Sequence, residues 1–195
     1  MPPMRITLAM LLLTLAPAVA QTTDIDTFKD GPDEAKVHAA SGFVCPQFIG
    51  SFERDAYGER NPQIGADFCA YSARDGVYGT ITLTPLTAPY DPKTALASEF
   101  VEQEGTGGKL VGERTVTLGG GKTPIAVYQR TYETAALESD HYRILFSSGT
   151  FGNWALEATV EFVTPRNDEQ ERQFLDAVYT QALTRMVQPA PAPAH

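Results

Sequence analysis

Residues 154–162 alternate without a break: Trp154, Leu156, Ala158, Val160 and Phe162 fall on one side, and Ala155, Glu157, Thr159 and Glu161 on the other. A sustained period of two marks a strand with one dry face and one wet face. Such a strand commits the chain to a sheet, and the dry face needs a cover. Weaker copies of the pattern recur at residues 77–83, where Val77, Ile81 and Leu83 oppose Tyr78, Thr80 and Thr82, and at residues 142–147. Residues 110–118 and 125–132 form two further strands joined by a glycine-rich turn, and residues 43–52 and 68–71 are strand-like. Residues 55–65, with Gly58, Asn61, Pro62 and Gly65, read as a loop.

Two segments switch to helical spacing. Between Asp91 as N-cap with Pro92 after it and Gly105 as the stop, Leu96, Ala97, Phe100 and Val101 form one stripe. Over residues 167–187, Phe174, Val178, Ala182 and Met186 recur every four residues, widened by Leu175, Tyr179 and Leu183. Asp168, Glu169 and Glu171 crowd the start of this segment and Arg185 sits near its end, as the helix dipole favours. Short strand-to-strand connections imply antiparallel pairing. The expectation is an α+β domain over residues 41–187: an antiparallel β-sheet with two helices packed on it and one disulfide.

The termini lie outside that domain. Residues 1–20 carry one positive charge at Arg5, an apolar run, and Ala18-Val19-Ala20 at a cleavage-like site, the layout of a signal peptide. The apolar run is shorter than the roughly 20 residues a spanning helix needs, and no later segment reaches that length, so no integral membrane segment is expected after cleavage. Residues 21–40 read as a flexible leader and residues 188–195 as a disordered Pro/Ala tail. The expected location is periplasmic or secreted. There Cys45 and Cys69 are read as a structural bridge closing a loop of about 25 residues, worth roughly 3–3.5 kcal/mol in the chain-entropy account. A redox role is disfavoured because neither cysteine sits in a Cys-x-x-Cys motif.

Element order, size and signal peptide together resemble the PsbP-like family of α/β/α-sandwich domains, which includes secreted bacterial proteins. The resemblance spans about residues 42–187. It implies a sheet between helices and carries over no functional residue.

With 15 Lys and Arg against 24 Asp and Glu, net charge −9, and no basic cluster, the chain is not expected to bind nucleic acid or an anionic membrane. Gly119-Gly120-Gly121-Lys122-Thr123 ends like a phosphate loop, but Val116 stands where the first glycine belongs, and Pro124 and a strand follow. It is read as a hairpin turn. The three histidines are His38 in the leader, His195 at the last position and His141 beside Asp140. His141 with Asp140, Ser147 or Ser148 is the one hydrolase arrangement the residues offer, and it lacks a nucleophile elbow. Metal-ligand spacings are absent, so no metal, cofactor or catalytic residue is assigned. Glu157 and Glu161 share a strand face about 13 Å apart, wide for an acid/base pair, and are read as solvated.

Tyr128, Arg130 and Tyr132 alternate along one strand face. Two phenols flanking a guanidinium suit a flat or anionic ligand, although cross-strand pairing of Arg130 with a glutamate such as Glu157 or Glu161 is the favoured account. Trp154 is either core or a stacking surface for a ligand. The functional expectation is an exported, non-enzymatic binding or accessory domain contacting a protein or small molecule through Tyr128, Arg130, Tyr132 and Trp154. The alternative is a small periplasmic hydrolase using His141.

Overall fold

The computed structural model describes residues 27–74, 76–119, 124–137 and 140–187. The signal peptide, the first part of the leader, the centre of the glycine-rich turn and the Pro/Ala tail lie outside the described residues.

The chain opens with three short strands, β1 (Phe28–Asp30), β2 (Lys36–His38) and β3 (Val44–Cys45), paired antiparallel in the order β1-β2-β3. Next come β4 (Phe48–Ile49), β5 (Phe52–Asn61), β6 (Ala66–Ala73) and β7 (Val77–Pro85). Two helices follow, α1 (Pro92–Ala95) and α2 (Ala97–Gly105). Then come β8 (Lys109–Leu118), β9 (Ile125–Leu137), β10 (Asp140–Phe151), β11 (Trp154–Thr164) and α3 (Asp168–Arg185). The second sheet has eight strands in the order β4-β5-β6-β7-β11-β10-β9-β8, every pair antiparallel. After β7 the chain crosses through α1 and α2 to the far edge and builds back inward, so β11 closes the sheet against β7.

The α+β expectation is therefore corrected: among the described residues the fold is mostly β, with 53 % strand against 22 % helix and two sheets of three and eight strands. Three local causes account for the difference. Part of the segment read as a flexible leader is strand, because Phe28 and Phe43 are buried at the base of the small sheet and fix β1 to β3 there. The stretch read as a loop is most of β5. Register shifts at Arg54/Ala56 and Glu59/Asn61 absorb its turn-prone residues, and Gly58 sits at φ 151°, where glycine alone is comfortable. The first helix is broken in two, because Leu96 leaves helical geometry at φ −88°, ψ 8°. Asp91 still caps its start, its carboxylate accepting from Thr94 N–H at 2.7 Å. Below the break Leu96 and Phe100 are buried, while Val101, expected on the same stripe, is 70 % exposed.

The large sheet is covered on both faces. On one, α3 lays Phe174, Leu175, Val178, Tyr179 and Ala182 against Ile81, Leu83, Val127, Leu156 and Val160. Each fully buried side chain of this size contributes about 1.5–3 kcal/mol. Gly79 makes the close approach possible: a Cβ there would lie 2.5 Å from the Phe174 ring. On the other face α1 and α2 seat Leu96 and Phe100 on Tyr132 and Phe146 in a smaller core. Cys45 of β3 and Cys69 of β6 form the disulfide, Cα to Cα 6.4 Å, tying the small sheet to the large one. Among the described residues no helix is long and apolar enough to cross a membrane.

Candidate functional site

Strand β9 holds Tyr128, Arg130 and Tyr132 on a single face, and α2 closes over that face. Tyr132 is fully buried, with the Phe100 ring tilted against it at 6.1 Å, and the Arg130 guanidinium lies 4.5 Å from the Phe100 ring centroid. Tyr128 donates to Glu113 and Tyr132 to Glu104, both at 2.9 Å. Burial, reinforced by these acceptor carboxylates, pushes both phenols up to about 12. Arg130 lies 3.6 Å from Glu113 and 3.8 Å from Glu104. Its partners are thus on β8 and α2. Glu157 and Glu161 are out of its reach as cross-strand neighbours because β10 stands between β9 and β11.

Trp154 does not join this group. It packs against the α3-side core, with the His38 ring edge-on at 5.0 Å. His141 presents Nδ1 to Glu133 at 3.0 Å, and Asp140 pairs with Arg166. The two serines near His141 in sequence are engaged elsewhere, Ser147 by the Tyr179 hydroxyl and Ser148 by the Tyr90 hydroxyl. Glu157 and Glu161, read as solvated, are half-buried and each accepts from a phenol: Tyr90 to Glu157 at 2.8 Å and Tyr142 to Glu161 at 2.6 Å. Burial raises the Glu157 carboxyl above the ordinary range. Together with Thr80, Thr82, Thr159 and Arg60 these carboxylates line a groove of about 200 Å³ beside α2.

Two arrangements escaped the sequence reading. The first is His38, buried between Ser41 and Asp67, with Nδ1 to Ser41 Oγ at 2.7 Å and Nε2 to Asp67 Oδ2 at 2.9 Å. The Ser41 backbone N–H also points at Nδ1, 3.2 Å away, which assigns Nδ1 as the acceptor and puts the ring proton on Nε2, donated to Asp67. A hydroxyl, imidazole and carboxylate in line are the parts of a nucleophile relay. Here, however, Ser41 Oγ belongs to the turn after His38, accepts from Phe43 N–H at 3.1 Å, and is buried. The adjoining hollow of about 220 Å³ is lined by His38 and Asp67 and not by the serine. The trio pins β2 to β6. Its trace in the sequence was the cysteine pair: bridging Cys45 to Cys69 brings residues 38–41 close to residue 67.

The second is a cleft of about 270 Å³ on the α3 face, between β8–β11 and the first turns of α3. Alternation on β8 sends Arg114 to this face, while Glu113, which also lines the cleft, accepts from Tyr128 and Lys93. Arg114 donates Nε–H to Gln129 at 2.7 Å, and Gln129, itself buried, donates to the Tyr179 hydroxyl at 2.9 Å. This chain holds the guanidinium through Nε, and Arg114 lines the cleft. Arg143 of β10 enters beside it, 3.6 Å from Glu133, with its Nε buried and without a hydrogen-bond partner among the described residues. Asp168 and Glu171 of α3 form the facing wall, and Leu145 and Phe162 supply an apolar floor. Burial raises the Glu171 carboxyl while the charge of Arg114 pulls it back, yet no ion pair joins Arg114 or Arg143 to either acid of the facing wall. Opposite charges thus look at each other across an open gap.

Among the described residues no group of three or more His, Cys, Asp or Glu is placed to hold a metal ion. Comparison of the chain with protein-family models and with curated proteins gave no match.

Proposed function

We propose that this is an exported, non-enzymatic domain of the bacterial envelope that binds a small charged ligand in the cleft between β8–β11 and α3. The observation that carries the reading is the pair of guanidinium groups, Arg114 and Arg143, held at the cleft without closing onto Asp168 or Glu171. Arg143 and Glu171 are partly buried, and partly desolvated charges kept apart are costly unless a partner arrives, while Arg114 and Asp168 stand exposed at the mouth of the cleft. The signal layout of residues 1–20 and the Cys45–Cys69 bridge support export to an oxidising compartment.

The test is calorimetric titration of the processed protein with a library of small charged metabolites, repeated on Arg143→Ala. Saturable binding that weakens at least about tenfold in the variant supports the reading; binding indifferent to Arg143 removes the cleft as the site. Cell fractionation with N-terminal sequencing tests export, and an unprocessed chain in the cytosol would contradict it.

A hydrolase reading rests on the His38–Ser41–Asp67 trio, since His141 has Glu133 and no serine as its partner. It predicts labelling of Ser41 by a fluorophosphonate. An unlabelled protein leaves the trio as a structural lock.

A further inference from the structure

We infer that the cleft over β8–β11 takes a zwitterion of amino-acid size, its carboxylate against Arg114 and Arg143 and its ammonium toward Glu171. This rests on the binding reading above and names the chemistry of that same site.

The charge arrangement selects the ligand class by elimination. The sheet wall carries two guanidiniums, with Arg143 3.6 Å from Glu133 and Glu113 at the rim bonded to Tyr128 and Lys93, and the helix wall carries two carboxylates, Asp168 and Glu171. A phosphate or other dianion gains the guanidiniums but is repelled by the acids opposite; a simple cation meets the reverse. A neutral sugar displaces water from both walls and satisfies neither charge, which leaves desolvated ions without a partner. A molecule with separated positive and negative ends satisfies both walls at once. Guanidinium also matches a carboxylate geometrically, offering parallel N–H donors in a fixed plane.

Size and floor narrow the class further. Drug-sized ligands occupy about 300–1,000 Å³, so a cleft of about 270 Å³ fits a single metabolite better than a peptide. Leu145 and Phe162, both nearly buried, offer an apolar floor for an aliphatic side chain. Arg114 needs no reorganisation to bind, because the Gln129–Tyr179 chain already fixes its Nε. Neither the trio at His38 nor the groove at Glu157 offers the same case: their polar groups already bond to one another.

The experiment is isothermal titration of the signal-free protein with each common L-amino acid, then with matched probes lacking one charge: L-leucinamide, 4-methylvalerate and inorganic phosphate. The expected result is saturable binding of at least one aliphatic amino acid, with every one-charge probe weaker by about tenfold or more. Arg143→Lys, which keeps the charge but loses the fork, weakens the amino acid. Glu171→Gln weakens the amino acid and leaves 4-methylvalerate unchanged or tighter. If 4-methylvalerate or phosphate binds as well as any amino acid and Glu171→Gln has no effect, the cleft is an anion site and the zwitterion inference fails while the binding reading stands. If neither these probes nor the wider library binds in an Arg143-dependent way, both fail together.

Discussion

The two faces of the large sheet carry similar polar residues put to opposite use. On the α2 side, carboxylates and phenols close on one another: Tyr90 on Glu157, Tyr142 on Glu161, Tyr132 on Glu104 and Tyr128 on Glu113. On the α3 side, Arg114 and Arg143 face Asp168 and Glu171 across a gap that neither pair closes. The residue types alone do not separate these cases, since both regions mix acids with donors. Local satisfaction of the carboxylates separates them, although the buried Arg130 Nε on the α2 side also has no hydrogen-bond partner among the described residues. A phenol from a neighbouring strand, loop or helix-facing position takes up a carboxylate's acceptor capacity within the fold; the Arg114 guanidinium, anchored through Nε, keeps its outer donors for something else. The α2 face is built to hold the protein together, and the α3 cleft is left incomplete by the chain's own groups.

Substitutions on the two sides test this contrast. The largest effect is expected from Tyr132→Ala, which empties the space under Phe100 and strips Glu104 of its donor; urea denaturation should show a loss of about 3–5 kcal/mol. Tyr90→Phe removes the donor to Glu157 and the acceptor of Ser148, and the same measurement should show about 1–3 kcal/mol. A third consequence is a pH slope. Burial raises the Glu157 carboxyl in the folded chain, so the native state holds that proton more tightly than the unfolded one, and stability falls as pH rises above the ordinary Glu range near about 4.3. Thermal melts of Glu157→Gln against the parent should lose that part of the slope; an unchanged slope would mean that Glu157 is charged in the fold at no cost. The smallest effect belongs to the cleft. Arg143→Ala should shift stability by no more than about 0.5 kcal/mol, because its contacts are loose, and a loss as large as that of Tyr132→Ala would erase the distinction between the faces.

Legibility in the sequence followed locality. The alternation at residues 154–162 and the four-residue recurrence of Phe174, Val178, Ala182 and Met186 depend on the period of one element, and both appear as β11 and α3 with those faces buried. β5 was hidden because its bulges break the period at Arg54/Ala56 and Glu59/Asn61, and because Gly58 and Asn61 mimic a loop. β1 and β2 were hidden because three-residue strands carry no period, and what fixes them is distant: Cys69, Asp67 and the core under Phe28 and Phe43. The shared face of Tyr128, Arg130 and Tyr132 could be read, but its cover could not. Which residues of the first helical segment turn inward depends on the break at Leu96, and a stripe drawn through an unbroken helix put Val101 inside. The cleft was beyond reach altogether. Its walls come from four strands and a helix, and Arg114 meets Gln129 only through the β8–β9 register.

The seam between the small sheet and the large one is held by unlike rivets, among them the covalent bridge from Cys45 to Cys69, the imidazole contact from His38 to Asp67 and the Arg54 guanidinium on the Cys45 and Glu34 carbonyls. Strands this short store little cohesion of their own, so the N-terminal flap owes its place to those rivets. Cutting the covalent one with a thiol reductant leaves the His38–Asp67 contact, the Arg54 hydrogen bonds to the Cys45 and Glu34 carbonyls and a few apolar contacts holding the flap. The flap then becomes the first part of the molecule to peel away, shedding amide protection and opening to proteases while the eight-stranded platform behind it stays intact.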